Sequence, residues 1–354
     1  MALRSIRLQQ FRCFESVDLE LDPQVTLIEG ANGSGKTSLL EGIFLLGRGR
    51  SFRSARLDYA VRHGQSGLVT SGLIDQGVTT VPIQIAHSSG ETVARLRGER
   101  IGSLAELSMA FPVQVIEPGV HKLIEEGPVR RRRFLDWGTF HVEPGFLRDW
   151  QRFHRALRQR NAALRARANV AELEPWTEEL AVAGERVDEA RVRYLSESRP
   201  QLVAACAELL GREIALTYAR GWSGDSLREA LSAAQATDAQ RRVTSVGPHR
   251  ADLQIAIAQS AAKDVVSRGQ QKLLAAGLLL GQIEFHISRH GRQPTVLLDD
   301  PAAELDGAAV HRFTRRVVHL GTQLVLTSLA AALPAGIGSG RVFHVEQGRV
   351  RQML

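Results

Sequence analysis

Lysine is nearly absent from this 354-residue chain: Lys36, Lys122, Lys263 and Lys272 are its only four, against 41 arginines. A codon bias of the source genome accounts for that exchange, though not for the surplus of positive charge. Cysteine is scarcer still. Cys13 and Cys206 are too few for a disulfide framework and stand in no metal-ligand spacing. No run of about 18 apolar residues exists, so nothing in the sequence reads as a membrane span. The start, MALRSIRLQQFRCFE, lacks an apolar signal core, with Arg4, Arg7 and Arg12 interrupting it. Internal repeats and low-complexity tracts are missing too. These absences lead us to expect a cytoplasmic protein with reduced thiols and no membrane partner.

What is present is a globular composition, with 44% hydrophobic and 23% charged residues, as in soluble domains. The length suggests two domains. The formal charge of +7 favours an anionic partner such as nucleic acid.

One of the four lysines sits in the most informative segment. Residues 30 to 37 read GANGSGKT, the phosphate-binding spacing G-x-x-x-x-G-K-[ST]. Val25–Ile28 reads as a buried strand entering the loop, and Lys36–Leu46 as the helix leaving it. Backbone amides and the helix's positive end would cradle phosphates. Lys36 would reach the β and γ phosphates, and Thr37 would hold Mg²⁺.

Up to about residue 120 the chain looks strand-rich apart from the loop helix, with strands expected at 5–8, 17–21, 68–74, 81–85 and 113–116. From 143 to 211 the pattern turns helical. Trp150, Phe153, Leu157, Asn161 and Leu164 recur on one face. After a turn around 169–175, Trp176, Leu180, Ala183, Val187, Ala190 and Tyr194 alternate steps of four and three, the mark of a helix packed along another. This predicts an antiparallel helical arm over 143–211, with residues 1–142 and 212–354 forming the second body. Strands are expected at 253–257, 296–298 and 323–326, and helices at 268–288 and 308–320.

Two further segments carry chemistry. Thr295-Val-Leu-Leu-Asp299-Asp300 is an apolar strand ending in two acids. Beside a phosphate loop, Asp299 would support Mg²⁺ and Asp300 would polarise an attacking water, a role usually given to Glu. Ser267-Arg-Gly-Gln-Gln-Lys272 opens a long apolar helix. A serine, the Gly269 amide and a helix dipole would make a second anion site there. A single ATP does not need two cradles from one subunit, so this one would grip ATP held by a second copy.

Loop, Ser267 segment and acid pair follow the order and spacing of ABC-type ATPase heads, and their interruption by a helical hairpin resembles the SMC-like branch. Further segments are similar to the RecF family of bacterial recombination mediators. These are Phe11-Arg12, Leu39-Leu40-Glu41, Gly49-Arg50-Ser51-Phe52-Arg53, Gly127-Pro128, Arg130–Leu135 with Asp136, Gln159-Arg160-Asn161, Gly247-Pro248-His249-Arg250, and Ala303-Glu304-Leu305-Asp306. The resemblance covers essentially the whole chain. It implies an α/β ABC-type head, made of a mixed sheet with flanking helices and an N-terminal antiparallel β subdomain, carrying an inserted helical arm.

It also implies a cycle in which ATP drives homodimerisation, the dimer binds single-stranded, gapped or junction DNA, and slow hydrolysis releases it. RecO, RecR and RecA are the implied pathway partners. By motif position, Gly30, Ala31, Asn32, Gly33, Ser34, Gly35, Lys36, Thr37 and Ser38 would bind nucleotide. Lys36 and Asp300 would be catalytic, and Thr37 and Asp299 would hold Mg²⁺. Ser267 and Gly269 would act across the dimer, with Asp306 near the partner's site.

Two departures stand out. Pro301-Ala302-Ala303 occupies a place where the family carries a Val-x-Ser run. Thr327-Ser328 replaces the family's Thr-rich stretch after the final strand, where transport ATPases place a His that senses the γ-phosphate. Candidates for DNA phosphates are Arg48, Arg50, Arg53 and Arg56, then Arg130–Arg133, then Arg152, Arg155, Arg158, Arg160, Arg165 and Arg167 on the arm. The other readings are a DNA-binding scaffold with structural ATP, a transporter ATPase subunit, which would need a longer signature and that His, and a small-molecule kinase, which leaves Ser267–Lys272 unexplained.

Overall fold

Val25–Glu29 is buried at every position, as a strand must be when both faces of its sheet are covered. It organises the first of two compact units, Met1–Val120 with His290–Leu354; the second is His121–Arg289. The computed structural model describes residues 2–77, 79–301, 307–329, 337–338 and 340–353.

In the first unit Val25–Glu29 lies inside a mixed sheet whose strands run Arg349–Gln352, Arg341–Glu346, Val25–Glu29, Leu324–Ser328, Thr295–Leu298, Val113–Ile116. Its pairings are parallel except in the C-terminal hairpin. Leu298 lies opposite both Leu326 and Ile116, and Ser328 opposite Glu29. Asp299, Thr327 and the start of the Gly30 loop therefore emerge side by side at the carboxyl edge of parallel strands, where such sheets bind ligands.

A second, antiparallel sheet runs Phe14–Glu20, Ala2–Phe11, Gly67–Asp75, Thr80–Ser88, Glu91–Leu96, Glu99–Arg100. Leu3, Ile6, Leu8 and Phe11 of its second strand turn inward, while Arg4, Arg7 and Gln9 face out. Between the sheets runs the loop helix Lys36–Arg48, with eleven of its 13 residues buried. A helix buried on nearly all sides belongs in a core, and Leu39, Leu40, Ile43 and Leu46 join residues of both sheets there. The buried Gln323 amide ties the layers. It donates to the Leu3 and Asp22 carbonyls and accepts from the Leu3 amide and the Thr295 hydroxyl, so both ends of its side chain are bonded.

The second unit is built on helices. Phe146–Arg165 (20 residues) and Val170–Leu210 (41 residues) realise the two apolar series expected from the sequence. Phe153, Ala156, Leu157, Leu180, Ala183 and Val187 share one core. The expected turn at 169–175 is corrected. Asn169 caps a helix that already contains Pro175, its side chain accepting from the Glu172 amide while Glu172 accepts from the Asn169 amide. This reciprocal pair is a capping box, and it moves the helix start ahead of the proline.

Helix Pro128–Val142 and a small sheet of Ala215–Ala219, Asp252–Ile257 and Ser260–Ala261 lie in the same unit. Its bounds are therefore wider than the helical segment 143–211. Arg131 bonds both oxygens of Asp252, and Arg191 bonds Asp136 and the Pro248 carbonyl. Motif residues Arg131, Asp136 and Pro248 are thus internal fasteners.

Arg160 is a second correction. Expected among the arm's DNA-facing arginines, it is 1% exposed and paired with a fully buried Asp238 at 2.7 Å. A helix face packed on a neighbour hides even a charged residue when a partner neutralises it there. Arg152 is also engaged, with both oxygens of Glu179.

Candidate nucleotide-binding site

The Gly30 loop takes shapes that side chains resist. Gly30, Gly33 and Gly35 have φ of 147°, 76° and 121°, in the region glycine enters freely. A Cβ on Gly30 would stand 2.3 Å from the Val345 carbonyl oxygen. The turn of the C-terminal hairpin reinforces the loop, the Gly348 amide donating to the Ser34 carbonyl at 3.3 Å. Gly30→Ala is therefore expected to weaken nucleotide binding at least about tenfold, since one 1.4 kcal/mol strain suffices for that. Titration with a fluorescent ATP analogue measures it, and unchanged affinity would mean that the loop's path does not matter.

The helix leaving the loop has neither a capping side chain nor an acid in its first turn. Its positive end is left for an anion from outside the helix. Lys36 Nζ donates to the Gly30 carbonyl at 2.7 Å and the Ala31 carbonyl at 2.9 Å, so the ammonium lies against the cradle. Burial pushes its pKa down from the ordinary lysine value, and the charges of Asp300 and Asp299 push it back up.

The Thr37 hydroxyl lies 3.0 Å from each carboxylate oxygen of Asp299, across 262 positions of sequence. The Asp299 oxygen Oδ1 also accepts from the Thr327 hydroxyl at 2.8 Å, and that hydroxyl in turn accepts from the Asp300 amide at 2.8 Å. Asp299 is buried at 6% exposure. Asp300, at φ 46°, leaves the strand by a left-handed step unusual for a residue with a side chain.

These groups line a cleft of about 640 Å³. Its loop side is Asn32, Gly33, Gly35, Lys36, Thr37 and Ser38, and its acid side is Asp299, Asp300, Thr327 and Pro118. The remaining wall comprises Arg12, Cys13, Arg53, Tyr59 and Val61, residues not assigned to the site from sequence. They arrive because Phe11 bridges Val61 and the Arg12 amide donates to the Ala60 carbonyl at 2.7 Å, a pairing with no local signal.

Behind this wall sits Glu41, fully buried. It accepts from Arg12 at 2.9 and 2.6 Å, from Ser51 at 2.5 Å and from Arg53 at 3.3 Å. Arg53 also donates to the Ser38 hydroxyl at 3.3 Å. The motif residues Arg12, Glu41, Ser51 and Arg53 are thus one network beneath the cleft. Two arginines of the cluster after the loop helix are separated by it: Arg53 lines the cleft, whereas Arg56 pairs with Asp58 on the surface.

Ser267 and Gly269 lie in the second unit, at the start of helix Arg268–His290. The Ser267 hydroxyl accepts from the Gln270 amide at 3.3 Å, and the Gln270 side chain accepts from the Ser267 amide at 3.0 Å. Ser267 is therefore a helix cap within the single chain. Asp306, with Ala302 and Ala303, lies outside the described residues.

Over residues 2–349 the chain matches the RecF/RecN/SMC N terminal domain family. The DNA replication and repair protein RecF of Stenotrophomonas maltophilia is 40% identical over 362 residues, covering 99% of each chain. That of Pectobacterium atrosepticum is 37% identical over 355 residues, 99% of this chain and 98% of its own. Among solved structures, the recombination mediator protein RecF with ATP, of the RecFOR pathway, superimposes with a TM-score of 0.89 at 26% identity, covering 100% of this chain and 98% of that one. An SMC head bound to the C-winged helix domain of ScpA gives 0.60 at 15% identity, covering 100% and 97%, a likeness of fold.

Proposed function

Because the chain belongs to the RecF family of DNA replication and repair proteins, we propose that it is an ATP-dependent DNA-binding protein of recombinational repair whose nucleotide closes a homodimer on DNA. The observation that carries the nucleotide reading is the meeting of Thr37 with both oxygens of Asp299 beside Lys36. A hydroxyl and a carboxylate are hard oxygen donors suited to Mg²⁺, which takes few protein ligands and completes its shell with water and phosphate. Among the described residues no group of three or more His, Cys, Asp or Glu could hold a metal alone, which fits a cation shared with nucleotide. When bound, Mg²⁺ would neutralise charge on the β and γ phosphates.

The chain's own groups would do the rest. Amides of the loop from Gly30 to Ser38 would bind the phosphate oxygens, and Lys36 would turn from the Gly30 and Ala31 carbonyls to the β and γ phosphates. Asp300, at the open edge of the cleft, would orient a water and draw its proton. Ser267 and Gly269 would present a helix N-terminus to the γ-phosphate held by a second copy, with Asp306 close to that copy's site. The positive charge suits duplex junctions, gaps or single strands. RecO, RecR and RecA are the partners this reading expects, in the cytoplasm. Among the described residues no helix is long and apolar enough to cross a membrane.

Sizing the protein with and without ATP, Mg²⁺ and gapped DNA tests the reading. A dimer should form with ATP and Mg²⁺ and persist on DNA; a monomer under every condition would sink it. Asp300→Asn should keep ATP-driven dimerisation but lower turnover at least about 100-fold, the usual range for a lost general base. That measurement separates a slow ATPase from a scaffold with structural ATP, in which Asp300→Asn would change nothing.

A further inference from the structure

We propose that Thr327 is the positioning residue that aims the two acids of this site, holding Asp299 toward the cation and Asp300 toward the cleft. The inference rests on the reading that the site takes ATP with Mg²⁺. On the strand beside the acid pair, this chain has a fully buried threonine whose single hydroxyl makes two bonds of opposite sense. It donates to Asp299 Oδ1 and accepts from the Asp300 amide, each at 2.8 Å.

The geometry gives this hydroxyl a task that the sheet cannot perform. The Asp299 amide still has a strand partner, the Ile116 carbonyl. Asp300, one residue later, has left the ladder with φ 46°, and its amide bonds the Thr327 side chain instead. Asp299 is held from two sides, by Thr37 from the loop helix and by Thr327 from the neighbouring strand. If Thr37 turns its oxygen to a cation, Thr327 remains the donor that keeps the Asp299 carboxylate in its orientation. Partners behind a metal ligand typically change metal affinity by 10- to 100-fold when removed.

Thr327 also stands opposite Ile28 in the strand that enters the phosphate loop. One residue thus connects loop strand, metal carboxylate and the backbone of the second acid. Its γ-methyl is not needed for this; its hydroxyl is.

The test is the Mg²⁺ dependence of binding of a fluorescent ATP analogue, read without turnover, with melting of the nucleotide-free protein recorded alongside. Thr327→Val, of the same shape, should raise the Mg²⁺ concentration for half-maximal binding about tenfold. Thr327→Ala, which also lacks the hydroxyl, should do the same, and Thr327→Ser should remain near the parent. A lower melting temperature in the hydroxyl-free variants with an unchanged Mg²⁺ midpoint would overturn the inference alone, as would failure of Thr327→Ser to restore it. A parent protein without Mg²⁺-dependent binding would overturn the nucleotide reading itself. In that case Lys36→Ala and the parent would behave alike.

Discussion

Lys36→Ala is expected to abolish ATP-driven dimerisation and DNA retention. The ammonium is positioned by two carbonyls at 2.7 and 2.9 Å and lies within the cradle formed by Gly30–Thr37. A charge-assisted bond to phosphate contributes about 1.5–3 kcal/mol, and Lys36 would make such bonds to two phosphates. Losing roughly 3 kcal/mol weakens ATP binding about 100-fold. A dimer closed by nucleotide then fails to form at an ATP concentration that just saturates the parent. Removing the side chain also leaves the Gly30 and Ala31 carbonyls without their donor, so a melting curve must accompany the measurement. Binding of a fluorescent ATP analogue, followed by sizing with gapped DNA, gives the result. If Lys36→Ala dimerised and held DNA as the parent does, ATP would not be the switch.

How much of this was legible beforehand depends on the range of each interaction. The buried strand Val25–Glu29, the loop and the helix after it are local patterns of period and turn chemistry, and they lie where the sequence predicts. The strand Thr295–Leu298 was equally plain. Thr327 was not. It read as a missing histidine, because its task exists only once Leu326 lies opposite Leu298 and Leu27. Tyr59 and Val61 gave no signal, since the Phe11–Val61 bridge that brings them to the cleft is a long-range pairing. Helix Pro128–Val142 was hidden by its own composition. Its run of arginines reads as an exposed basic cluster, yet Arg131 bonds Asp252 and Arg132 donates to the Ala251 carbonyl.

Arginine illustrates the limit of reading partners from charge. The net charge of +7 bears on long-range attraction, but it does not say which residues produce it at the surface. Arg12 is held by Glu41, Arg191 by Asp136 and Arg160 by Asp238. Arg12 meets both oxygens of Glu41 with two of its nitrogens, the fork geometry in which arginine differs most from lysine. Arg155, Arg158, Arg165 and Arg167 are exposed and remain the arm's candidates for phosphate contacts.

The separation between these two kinds of arginine is sharpest at Arg160, where Arg160→Met should destabilise the second unit by about 3–5 kcal/mol, the cost of leaving a buried charge without its partner. The guanidinium bonds Asp238 at 2.7 Å, Thr244 at 2.8 Å and Thr177 at 3.1 Å. Asp238 also accepts from the Ser245 amide and hydroxyl at 2.9 and 2.6 Å, while Asn161 accepts from the Thr244 amide and hydroxyl at 2.7 and 2.8 Å. The network joins the two arm helices to helix Gln235–Arg241 and the segment after it. Methionine matches the stem but leaves Asp238 charged in the interior. Replacing both partners, as Arg160→Met with Asp238→Leu, should recover part of the loss, since an apolar pair carries no orphaned charge. Arg158→Ala, on the exposed side of the same helix, should stay within about 0.5 kcal/mol of the parent. Denaturant unfolding of the three variants gives these values, with DNA affinity at several salt concentrations measured on the same samples. An Arg160→Met protein as stable as the parent but weaker on DNA would return Arg160 to the phosphate-binding surface. A destabilised Arg160→Met beside a stable Arg158→Ala with weakened, salt-sensitive DNA binding would assign the buried arginine to the fold and the exposed one to nucleic acid.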